Sequence, residues 1–158
     1  MPTQLETAAR DLNFLPKPDL CARLDAVLRT TYTEEAIRDT RPAAIAALLN
    51  KAAQQELTAR GRTAQMLRHL GGTAWHRVAM EGDTMHVANV ANAAAKSGDA
   101  ALCARMLRTL DAGGAIGRVG ASGDTQAISN IANAAAHADN PALSVRVLRT
   151  LGRSSSHI

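Results

Sequence analysis

The sequence predicts an all-α fold, a right-handed α-solenoid of about three to four armadillo/HEAT-like units. Three observations lead there. The first is a repeat: "HVANVANAAAKSGDAALCARMLRTL" (86–110) returns as "AISNIANAAAHADNPALSVRVLRTL" (127–151). Asn92 to Asn133 and Leu107 to Leu148 are both offsets of 41, Leu67 to Leu107 is 40, and Leu28 to Leu67 is 39. A beat of that length marks a helical array or a propeller. The second is composition. Hydrophobic residues make up 46% of the chain and aromatics only 2%. An Ala-rich core without aromatics suits closely packed helices and not the strands of propeller blades. The third is helix punctuation that recurs in register.

The chain reads as a single domain, 1–152, with units near 1–30, 31–70, 71–110 and 111–152 and a frayed tail at 153–158. In the first unit, "LPKPD" (15–19) is a break, and Cys21 to Thr30 is a second helix, helix B. In the next, "TRPAAIAALLNKAAQQ" (40–55) is helix A, with Thr40 as cap and Pro42 at the first helical position; helix B follows at about 57–70. "GGTAWHRVAMEGD" (71–83) and "GGAIGRVGASGD" (113–124) are matched linkers, each holding a short third helix, near 74–80 and 115–120. Helix A of the last two units spans about 84–96 and 125–137, capped by Asp83 and Asp124. Val87, Val90, Ala91 and Ala94 form its apolar stripe. "SGD" (97–99) and "ADNP" (138–141) end it. Asp99 or Asn140 then caps helix B, and Pro141 opens it where its missing N–H costs nothing. Helix B carries Leu102, Met106, Leu107 and Leu110, or Leu143, Val147, Leu148 and Leu151, and Gly113 or Gly152 stops it.

Charge separates the halves. Residues 1–56 hold seven Lys/Arg and eight Asp/Glu; residues 57–158 hold eleven and six. The repetitive half is basic, which permits an acidic partner. No apolar run approaches a bilayer span, so membrane insertion is not expected. The polar N-terminus has no signal-peptide pattern. Cys21 and Cys103 are too few for a disulfide framework and fit small core positions.

No catalytic or metal motif is present and no cofactor is expected. No His pair has helical metal-site spacing, no phosphate loop ends in Lys-Ser/Thr, and no Ser or Cys sits in a nucleophile elbow. The Asp residues read as caps.

Two rows recur at the repeat period. One is basic: Arg29, Arg68, Arg108 and Arg149, joined by Arg105 and Arg146. It reads either as surface solvation paired with neighbouring Asp, or as a track for phosphates or acidic side chains. The other is Asn50, Asn92 and Asn133, joined by Asn89 and Asn130. Asn is a poor helix-interior residue, so matched copies need a reason. They form either a buried ladder bonding the next repeat, or the lining of a groove that holds an extended peptide. Trp75 fits a core plug between units. Leu5, Phe14 and Leu15 could cap one end, and end units without a polar cap favour self-association.

The helix-A end "NA-x-x-K" (Asn92, Ala93, Lys96) and "DNPA" (Asp139 to Ala142), with an echo in "PKPDLC" (16–21), resemble the SKWP repeats of type III effectors from plant-pathogenic bacteria. The likeness spans roughly 40–152, and no unit contains Ser-Lys-Trp-Pro itself. Helix A is also similar, more weakly, to octotricopeptide-type repeats. The first resemblance implies a non-catalytic module that binds proteins, those of a host among them, and a chain that is cytoplasmic in its producing cell or secreted into a host cell. The second implies RNA binding along the Arg row.

Overall fold

A computed structural model describes residues 1–155, and every regular element among them is helical. The α-helices are α1 (Gln4–Ala9), α2 (Lys17–Arg29), α3 (Glu34–Arg38), α4 (Pro42–Gln54), α5 (Arg62–Glu81), α6 (Thr84–Lys96), α7 (Ala100–Ala112), α8 (Ala115–Ser122), α9 (Thr125–His137) and α10 (Pro141–Ser155). A 3₁₀ turn, Leu12–Phe14, lies between α1 and α2.

Local chemistry places most of the boundaries. Asp83 Oδ1 accepts from the His86 N–H at 2.9 Å and starts α6. Asp124 does the same for the Ala127 N–H at 2.8 Å and starts α9. Asp99 and Asn140 cap α7 and α10 through the Leu102 and Leu143 N–H groups, at 3.0 and 3.1 Å. Each carbonyl-type oxygen satisfies a backbone donor that the helix leaves without a partner. The break before α7 or α10 needs one left-handed residue. Gly98 supplies it at φ 72° and Asp139 at φ 48°.

α4 packs on α6 and α6 on α9, helices of matching sequence; α1 packs on α4, α5 on α7, and α2 more lightly on α5. α8 packs against α6, α7 and α10. The middle of the series is buried nearly all round. In α6, Val87, Ala88, Val90, Ala91, Ala93, Ala94 and Ala95 are all buried. Ala on two faces lets α4 and α9 approach α6 from opposite sides, while Leu, Met and Ile fill the space toward the α5 and α7 side. The end of α7 comes as close: a Cβ on Gly113 would stand 2.7 Å from that of Ala79.

Several expectations need correction. Thr40 is not the cap of α4. It is fully buried, and its hydroxyl donates to the Ala36 carbonyl at 2.7 Å; Arg41 occupies the cap position without a side-chain bond. Helix B of the second unit starts at Arg62 and not near 57, because Glu56 folds back to accept from the Gly61 and Thr63 N–H groups. The third helix at 74–80 is continuous with helix B as α5, kinked at Gly71, whose φ is 76°. Gly152 does not stop α10, which runs to Ser155; residues 156–158 of the expected tail lie outside the described residues. Leu148 is about half exposed although its counterpart Leu107 is buried: α7 packs against α5, α6, α8, α9 and α10, whereas nothing described follows α10. Two short helices, α1 and α3, were not anticipated.

Candidate interaction surfaces

The Asn row lies on α4, α6 and α9, the helices that pack in series. Asn50, Asn89, Asn92 and Asn130 are half-buried and Asn133 is exposed. Asn130 accepts from Gln126 one turn back in α9, at 3.2 Å. Among the described residues no amide of the row bonds a neighbouring helix. None of the five is fully buried, and the row keeps amides without a partner on the next helix. Asn50 and Asn89 line a cavity of about 400 Å³ together with Lys51, His86, Phe14 and Met85. Phe14 and Met85 are exposed large apolar residues, so the amides sit among apolar contact surface. Phe14 caps nothing, whereas Leu5 is fully buried and Leu15 half-buried.

The Arg row is exposed on α2, α5, α7 and α10, and half of it is engaged. Arg68 pairs with Asp99, the cap of the next helix B in the series. Arg146 Nε stands 2.9 Å from Asp111 Oδ2. The Arg105 guanidinium lies 5.3 Å from the centre of the Trp75 ring, within cation–π range. Arg29, Arg108 and Arg149 have no ion pair among the described residues. Trp75 is a core residue: it is buried, and its indole N–H donates to the Leu67 carbonyl at 3.1 Å, across the Gly71 kink. Cys103 is buried with its Sγ 3.3 Å from the Ala134 carbonyl, and burial pushes the thiol up to about 11. Cys21 is half-buried.

Sequence reasoning missed a third recurrent arginine pair. Arg77 Nε donates to the Thr40 carbonyl at 3.1 Å. Arg118 donates to the carbonyls of Ala79 (2.7 Å), Gly82 (3.2 Å) and Gly113 (3.2 Å). Each ties a linker helix to the chain about 40 residues earlier. The signal was the shared "Arg-Val" of the two linkers, 41 residues apart.

Among the described residues no group of His, Cys, Asp and Glu is placed to hold a metal ion, and no helix is long and apolar enough to cross a membrane. Comparison with family models, with curated proteins and with solved structures finds no match to this chain.

Proposed function

We propose that this chain is a right-handed α-solenoid of armadillo/HEAT-like units that acts as a non-catalytic protein-binding module. Its ligand is an extended segment laid along the Asn row. One observation carries the reading: amides at repeat spacing on serially packed helices, unbonded to any neighbouring helix and set beside exposed apolar residues. An extended backbone has unpaired N–H and C=O groups, and a carboxamide offers both a donor and an acceptor. The SKWP-like pattern supports placing the module among effector-type repeats that act on host proteins. The same reading carries self-association through the end where Val145 and Leu148 stay exposed, which sedimentation at rising concentration tests.

The experiment is selection from a displayed library of random extended peptides, followed by titration of the selected sequences. Asn89→Ala with Asn92→Ala removes two amide contacts of about 1 kcal/mol each, so affinity falls about thirtyfold. The melting temperature stays unchanged, since neither amide bonds another helix. A selected peptide that binds the double variant as tightly as the parent defeats the groove reading.

RNA binding is the second reading, favoured by the exposed and unpaired Arg29, Arg108 and Arg149. A random single-stranded RNA pool titrated from about 50 to 200 mM salt tests it. Tight binding with a steep salt slope, lost in Arg108→Glu with Arg149→Glu, would put RNA first.

A further inference from the structure

We propose that the cleft between α7 and α10 is an oxyanion site, taking a ligand carboxylate or phosphate group between Arg108, Asn140 and Arg146. The argument compares two successive junctions of the same chain. At the first, the Asp99 carboxylate is shared: Oδ1 accepts from the Leu102 N–H at 3.0 Å, and Oδ2 accepts from Arg68. At the second, Arg108 stands at the position of Arg68 and Asn140 at that of Asp99, offsets of 40 and 41. Asn140 keeps the capping half of the role, its Oδ1 accepting from the Leu143 N–H at 3.1 Å. Its other terminal atom is therefore Nδ2, a donor where an acceptor stood.

Arg108 consequently has no ion pair or hydrogen bond among the described residues. It lines a cavity of about 470 Å³ with Asn140, Arg146 and Asp111. Asp111 does not fill the gap: its carboxylate pairs with Arg146 Nε at 2.9 Å and makes no ion pair with Arg108 among the described residues. Ala142, also in the lining, lies in the first turn of α10, where backbone N–H groups have no acceptor within the helix and the helix dipole favours negative charge. Donors converge on one space from a guanidinium, an amide and a helix start. The group they match is the Oδ2 of the preceding junction, supplied from outside. A guanidinium fits carboxylate and phosphate alike, in the planar fork geometry that both accept. The site lies among the helix-B elements and does not depend on the Asn groove.

The test is a ¹⁵N NMR titration of the full chain, with N-acetylaspartate in one arm and O-phosphoserine in the other. The side-chain amide of Asn140 and the backbone N–H of Ala142 are the readouts. Saturable shifts are expected, and the tighter arm identifies the group as an acidic side chain or a phosphate. Arg108→Gln weakens binding by about tenfold or more. Asn140→Asp restores the internal acceptor: it abolishes the shift of the Ala142 N–H, the readout that variant keeps, and raises the melting temperature, so a lost response cannot be blamed on unfolding. The proposal is overturned if neither probe gives saturable shifts below about 10 mM. It is equally overturned if the shifts survive in Arg108→Gln, or if Asn140→Asp binds like the parent.

Discussion

Replacing Arg118 with Met should loosen the joint between the chain's successive helical segments. The side chain is half-buried, and its guanidinium reaches three carbonyls, at 2.7, 3.2 and 3.2 Å. Gly82 and Gly113 are the C-terminal caps of α5 and α7, and Ala79 lies in the last turn of α5. The arginine thus brings positive charge to two helix ends whose carbonyls lack partners within the helix and carry partial negative charge. A hydrogen bond with a charged donor contributes about 1.5–3 kcal/mol. The three share one group, and water can reach some of the freed carbonyls, so their loss is not additive. A total of about 2–3 kcal/mol is expected. For a chain of this length that lowers the melting temperature by about 5–10 °C. Arg118→Lys should recover only part of it, because a single ammonium cannot span all three acceptors. Thermal melts give the magnitude, and hydrogen exchange gives the place: protection should fall at the end of α5 and in α8 before it falls in α6. A Met variant that melts within about 1 °C of the parent would refute the reasoning.

Three other outcomes are expected. Gly98→Ala should cost about 1–2 kcal/mol, because Gly98 has φ 72° and an added Cβ meets nothing within 4 Å, so the penalty is conformational alone; denaturant unfolding measures it. Leu107→Ala should cost about 2–5 kcal/mol and Leu148→Ala under about 1, since the first is 0% and the second 48% exposed; equal costs would mean that Leu148 is covered in solution. Stability should also fall in acid through Glu6. The Thr3 N–H, and then Arg41, hold its carboxyl down to about 2 against the opposing effect of burial, from an ordinary 4.5. A lowered folded-state pKa gives stability that is full above about pH 4.5 and lost as the pH falls toward 2. In Glu6→Gln the melting temperature should change less across that window.

The sequence by itself determined the helical class and the bounds of α6 and α9. The same holds for the caps Asp83, Asp99, Asp124 and Asn140, and for Pro141 as the first residue of α10. Each rests on groups within three or four residues of one another, so local spacing suffices to place them. The failures have the opposite character. Thr40 looked like a cap and became a buried hydroxyl sharing a hydrogen bond with Thr3, 37 residues away. Gly152 looked like a stop, yet α10 has the left-handed turn its end would need nowhere before Ser155. Arg68 and Arg108 hold one repeat position, yet only Arg68 meets a carboxylate; Arg105 and Arg146 hold another, and meet an indole ring and a carboxylate. The five asparagines could have been a ladder or a lining; among the described residues none bonds a neighbouring helix, and none is fully buried. Which of these side chains finds a partner depends on a neighbouring segment 30 to 35 residues away in the chain. That distance is set by how the helices stack, and so only the tertiary structure could decide it.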